Sequence, residues 1–126
     1  MDNKNNNGLI LIIEDEIDLL KITEFRLSKS GYRTISATDG KKGLELASQY
    51  RPNLILLDLN IPKIDGFEVC KRLKSNADLK KIPIIIITAS YLNVVEKKSS
   101  LKAECILLKP YELKDLLSNV KKYISS

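Results

Sequence analysis

Four apolar runs in this sequence stop at residues able to do chemistry. The run LILII (9–13) gives way to Glu14, Asp15 and Glu16; LILL (54–57) ends at Asp58; IPIIII (82–87) ends at Thr88; CILL (105–108) leads into Lys109 and Pro110. If these runs end side by side, acids, a hydroxyl and an ammonium meet at one spot. Clustered carboxylates repel one another and burial raises the cost, so the group must protonate or bind a cation. Carboxylate oxygens around a partly hydrated position suit Mg²⁺, which takes one or two protein carboxylates and keeps several waters. With such an ion among three carboxylates, about one negative charge remains for Lys109 to balance. That set is poised for a phosphoryl group. The metal and Lys109 would neutralise its oxygens, the Thr88 hydroxyl would hydrogen-bond to one of them, and a carboxylate would be the nucleophile. Asp58 suits that role because it stands alone at the centre, while Asp15 and Glu14 are better placed as metal ligands. Each piece has a plainer reading: an acid after a strand caps a helix, a threonine reflects strand propensity, Lys-Pro makes a turn. Four such residues at the relevant strand ends are what mark a built site.

The elements that must position these residues alternate along the chain. Strands are predicted at 9–13, 32–36, 54–57, 82–88 and 105–108. Amphipathic helices are predicted over 17–29 with Gly31 as the cap, 39–49, 67–75, more weakly 94–101, and from 113 to 124, where Leu113, Leu116, Leu117, Val120 and Ile124 keep helical spacing. Five β–α pairs with near-continuous apolar strands indicate a doubly wound α/β fold, a parallel sheet covered on both faces. Ligands of such sheets bind beyond the carboxyl ends of the strands, where the residues above stand.

Composition limits the alternatives. A chain of 126 residues, 44% hydrophobic, has room for one core. Residues 1–8, MDNKNNNG, are polar and aperiodic and read as a disordered lead-in to a domain over 9–126. No run approaches the ~20 apolar residues of a membrane span and no signal peptide is visible, so a cytoplasmic, soluble protein is expected. Cys70 and Cys105 sit in apolar contexts without Cys-x-x-Cys spacing or any histidine, and read as reduced core thiols. The net charge of +5 comes from lysines spread over several segments without interleaved aromatics, which argues for a solvated surface and against nucleic acid.

The motifs IIEDE, LILLDLNIPKIDGFE, IPIIIITA and LLKPYE, in this order and spacing, make the chain resemble the receiver domain of bacterial two-component response regulators from about Leu9 to Ile124. The resemblance implies the flavodoxin-like, CheY-like (βα)5 sheet with strand order 2-1-3-4-5. It implies Asp58 as phosphoacceptor and Mg²⁺ held by Asp15, Asp58 and the Asn60 backbone carbonyl, with Glu14 acting through water. Thr88 becomes the switching hydroxyl, Lys109 the phosphoryl ligand, and the bond before Pro110 is expected to be cis. Implied partners are a histidine kinase or a histidine phosphotransfer protein, docking on the first helix through surplus apolar residues such as Ile17 or Leu20. Such a domain catalyses only its own phosphorylation and dephosphorylation.

The sequence also departs from that family. Ile106 stands where an aromatic switch residue is usual, KAEC (102–105) replaces the common GAD turn, and SYLNVVEKKSS (90–100) starts poorly as a helix, so that helix is expected to be short, displaced or mobile. Ser90 and Asn60 hold positions that tune phosphoaspartate hydrolysis, and being small or polar they imply a lifetime of minutes. With no room for an output domain, the expected modes are partner binding, phosphorelay or phosphate drainage. A receiver-like interaction module independent of phosphorylation is the alternative. A flavin carrier is opposed by the acids after the first strand, and an aspartyl phosphatase by the spacing of Asp15 and Asp18.

Overall fold

A strand whose every side chain is apolar needs cover on both faces, and the computed structural model, which describes residues 7–89 and 101–124, provides it. In chain order the elements are β1 (Leu9–Ile13), α1 (Ile17–Lys29), β2 (Arg33–Ala37), α2 (Gly40–Tyr50), β3 (Leu54–Asp58), α3 (Gly66–Ser75), β4 (Ile84–Thr88), β5 (Cys105–Leu108) and α4 (Leu113–Tyr123). The five strands form one parallel sheet in the order β2-β1-β3-β4-β5. This is the doubly wound (βα)5 arrangement that the alternation of segments predicts.

The strand period of two divides the core between the faces. Leu11, Ile13, Ile55, Leu57, Ile84 and Ile86 meet Ala47 of α2 and Val69, Cys70 and Leu73 of α3. Ile10, Ile12, Leu54, Leu56, Ile85 and Ile87 meet Leu20 and Leu27 of α1 and Leu116 and Val120 of α4. Each fully buried Ile or Leu contributes roughly 1.5–3 kcal/mol of transfer free energy, so the central strands act as rigid posts for what they carry at their tips.

Local chemistry sets the ends. Asp39 and Asp65 cap α2 and α3, their side chains accepting from the N–H groups of Lys42 at 2.7 Å and Glu68 at 2.9 Å. Gly31 closes α1 at φ 95°, donating to the Ser28 carbonyl at 3.0 Å. Several boundaries differ from expectation by one or two residues, the ordinary scatter of element ends. β2 runs one residue later than 32–36, α2 begins and ends one residue later than 39–49, and β4 omits Ile82 and Pro83.

Of the lead-in expected at 1–8, residues 1–6 lie outside the described residues. The Asn7 N–H donates to the Gly31 carbonyl at 3.2 Å, and the Gly8 carbonyl accepts from Arg33 N–H at 2.9 Å. The expected helix over 94–101 and the reading of Ser90 also fall outside the described residues, apart from helical Leu101.

The KAEC segment has its own solution. Lys102 adopts φ 56°, in the left-handed region. Glu104 accepts from Ile84 N–H at 2.7 Å and from the Lys74 ammonium at 2.9 Å. Lys74 also donates to the carbonyls of Lys80 and Ile82, joining the end of α3 to the starts of β4 and β5. Among the described residues no helix is long and apolar enough to cross a membrane.

Candidate functional site

The parallel register brings the chemical residues to one edge. Asp58, the last residue of β3, pairs with Ile87 of β4, and Thr88 pairs with Leu108 of β5, immediately before Lys109. Glu14 follows β1 and is pinned to the end of β2 by its N–H donating to the Ala37 carbonyl at 3.0 Å. The Lys109 N–H donates to the Thr88 carbonyl at 2.8 Å. The Lys109–Pro110 bond is cis.

The loop after Asp58 is folded back tightly. The Asp58 Oδ1 atom accepts from Asn60 N–H at 3.0 Å, and Gly66 N–H donates to the Leu59 carbonyl at 3.0 Å. A side chain at Gly66 would run into the backbone of Asp58 and Leu59, so this glycine lets the loop close against the strand tip. The Gly40 N–H at the start of α2 holds the same loop through the Pro62 carbonyl at 3.2 Å.

At the centre stands the Lys109 ammonium, 3.0 Å from Asp58 Oδ2, 3.1 Å from Glu14 Oε1 and 3.1 Å from Glu16 Oε1. Asp58, Glu14 and Thr88 are buried. Desolvation pushes the Glu14 carboxyl up to about 7, helped by the Asp58 charge and opposed by hydrogen bonds from the Glu16 N–H and from Lys109. For Lys109, burial pulls toward the neutral form, but hydrogen bonds to Asp58, Glu14 and Glu16 outweigh it and hold the ammonium above the ordinary lysine range.

A cavity of about 430 Å³ opens over this group, lined by Asp15, Glu16, Asp58, Asn60, Thr88 and Lys109. Carboxylate oxygens of Glu14, Glu16 and Asp58 lie within 4.8 Å of one another. An oxygen-only donor set of this kind fits a hard divalent cation better than zinc or copper. Asp15, put forward by sequence as a direct ligand, is exposed and lines the cavity without joining the tight carboxylate group. Glu16, to which the sequence assigns no role of its own, joins it. The signal for Glu16 was its place in the Glu14-Asp15-Glu16 run, but after a strand such a residue reads equally well as the start of a helix.

Ile106 is half-buried on β5, paired with Ile86 and packed against the α2–α3 side of the core. On the other side of the site, a groove of about 630 Å³ runs between α1 and the connection into α4, lined by Leu19, Ile22, Thr23, Arg26, Tyr111 and Leu116 among others. Ile22 in its lining is 50% exposed, and Ile17 and Phe25 on the same helix are exposed by 48% and 63%. Leu20 is not part of this surface: it is buried in the core, which corrects the expectation that it is a contact residue. Both cysteines are free thiols, Cys70 buried and Cys105 half-buried.

Comparison with known proteins shows the family and the fold. Residues 10–121 match the family model described as response regulator receiver domain. A probable transcriptional regulator, ycf27 of Porphyridium aerugineum, is 39% identical over 114 residues, covering 89% of this chain and 46% of its own length. The chain thus spans about half the length of the first curated relatives it matches. Sporulation initiation phosphotransferase F of Bacillus subtilis is 34% identical, with 94% of each chain covered. Among solved structures, the receiver domain of a sensor histidine kinase from Pseudomonas aeruginosa PAO1, crystallised with a magnesium ion coordinated in its active-site cleft, superposes with a TM-score of 0.87. It is 26% identical and the match covers 94% of this chain and 98% of that one.

Proposed function

Because the chain belongs to the family of response regulator receiver domains, we propose that it accepts a phosphoryl group on Asp58 from a histidine kinase or a histidine phosphotransfer protein and signals through altered partner binding or phosphorelay. The observation that carries this reading is the 3.0 Å contact between the Lys109 ammonium and a buried Asp58 carboxylate at the tip of a central strand. In the proposed step an Asp58 oxygen attacks the phosphorus of a phosphohistidine. The P–N bond breaks, the imidazole leaves with the electron pair and takes up a proton, and an acyl phosphate remains on Asp58.

Lys109 stays protonated throughout and offers its charge to a phosphoryl oxygen, while the Thr88 hydroxyl stands at the end of the neighbouring strand to hydrogen-bond to another. Mg²⁺, when bound, supplies further charge neutralisation at those oxygens. Asp15, exposed on the cavity wall outside the tight carboxylate group, would hold it together with Asp58, the Asn60 carbonyl and, through water, Glu14. The donor protein is proposed to dock on Ile17, Ile22 and Phe25 of α1 and on the adjoining groove, whose lining includes Lys109 of the site. The protein's own phosphorylation and dephosphorylation would be the only reactions it catalyses.

Ile106 favours a second reading, an interaction module that works without phosphorylation. The aliphatic side chain is packed into the core where the family uses an aromatic rotamer switch. Incubation with acetyl phosphate and MgCl₂ separates the two. A gain of one phosphoryl group in intact mass, absent with EDTA and in Asp58→Ala, supports the phosphoacceptor. No gain, while a known receiver reacts in parallel, supports the module.

A further inference from the structure

An ammonium has three N–H bonds, and those of Lys109 are shared among Glu14, Glu16 and Asp58 at 3.0–3.1 Å. A phosphoryl oxygen that is to be held by this ammonium has to replace one of these partners. The three are not equivalent. The side chains of Glu14 and Asp58 are 6% and 5% exposed, so a carboxylate released there stays out of water, whereas that of Glu16 is 66% exposed and is rehydrated at once on release.

The backbone fits this difference. Glu16 occupies the N-cap position of α1, and its side chain, too long to be a usual N-cap acceptor, makes no bond to the first helical N–H groups. Its carboxylate is turned to Lys109 while its own N–H is held by Glu14 Oε2 at 3.1 Å. The main chain is tied by hydrogen bonds at this position, while the exposed carboxylate is held by Lys109.

We infer that Glu16 is a positioning residue, an exchangeable counterion that holds one N–H of Lys109 until a phosphoryl oxygen takes its place, and so sets how readily the site admits an anion. This rests on the reading of Asp58 as phosphoacceptor. Removal of the Glu16 charge weakens the hold on one N–H of the ammonium, which keeps Glu14 and Asp58, and lowers the repulsion met by an incoming anion.

The test compares wild type, Glu16→Gln and Glu16→Asp in MgCl₂ by two readouts: the rate of phosphorylation by acetyl phosphate, and the affinity for beryllium fluoride, a phosphoryl mimic, followed by amide NMR. Glu16→Gln is expected to raise both about two- to fivefold, the size of a partly exposed ion pair. The gain should shrink as salt rises from about 0.1 M to about 1 M. Glu16→Asp, which restores the charge, should bring both back toward wild type. Equal or lower values in Glu16→Gln, with wild type phosphorylated, overturn the inference and leave the Asp58 reading standing. No phosphorylation and no beryllium fluoride binding in any of the three overturn the Asp58 reading and the inference with it.

Discussion

Lys109 and Asp58, 51 residues apart in sequence, meet at 3.0 Å because β3 and β5 flank β4 in register and both end at the same edge of the sheet. Around that contact three carboxylates share one ammonium, so the site carries an excess of negative charge. Such an excess of charge costs the fold stability. Asp58→Asn keeps an acceptor for the Asn60 N–H and removes one charge. It is expected to stabilise the protein at pH 8 in EDTA by about 1–2 kcal/mol, measured by urea unfolding, while abolishing phosphorylation.

Glu14 gives the site a pH dependence of defined sign. Its folded carboxyl titrates near 7, above the ordinary 4.5. The stability tied to its protonated form is therefore complete below about 4.5 and is lost as pH rises through 7. Lys109 is also raised, but from 10.5, so its contribution stays constant over that window. In EDTA, Glu14→Gln should gain on wild type as pH rises from 5 to 8, with a total change of up to about 3 kcal/mol. A pH-independent difference between the two unfolding curves would contradict this assignment.

The Lys74–Glu104 pair is a structural clamp outside the site. Glu104→Ala leaves the Ile84 N–H and a nearly buried ammonium without their shared acceptor. A loss of about 2–3 kcal/mol is expected in urea unfolding. The rate of phosphorylation by acetyl phosphate should be unchanged at temperatures where the variant is folded.

How much of this was legible in the sequence depends on range. Asp58, Thr88 and Lys109 could be found because each apolar run switches abruptly to a polar residue, and strand tips in a parallel sheet converge. The bounds of β1 and β5 were legible for the same reason. The apolar face of α1 was not. Apolar residues at 17, 19, 20, 22, 25 and 27 cover more than one stripe, and only packing decides that Leu20 and Leu27 turn inward while Ile17, Ile22 and Phe25 stay outside. The Lys74–Glu104 clamp bridges 30 residues with no motif to announce it. The role of Glu16 depends on a lysine 93 residues away.

The α1 surface separates docking from chemistry. Ile22→Asp and Phe25→Ala change exposed side chains and should leave stability within about 0.5 kcal/mol. Transfer from a phosphorylated histidine protein is expected to slow by about tenfold or more, as for loss of a central apolar contact. Phosphorylation by acetyl phosphate, which needs no docking, should keep its wild-type rate.

The proposed function requires that, of the acids at the strand ends, Asp58 carries the phosphoryl group. Borohydride reduction of the phosphorylated protein converts an acyl-phosphate aspartate to homoserine, and peptide mass mapping then locates it. Homoserine is expected at position 58 alone, and none in protein treated without the phosphodonor. Homoserine at position 15, or a gain of one phosphoryl group in Asp58→Asn at the wild-type level, would contradict the assignment.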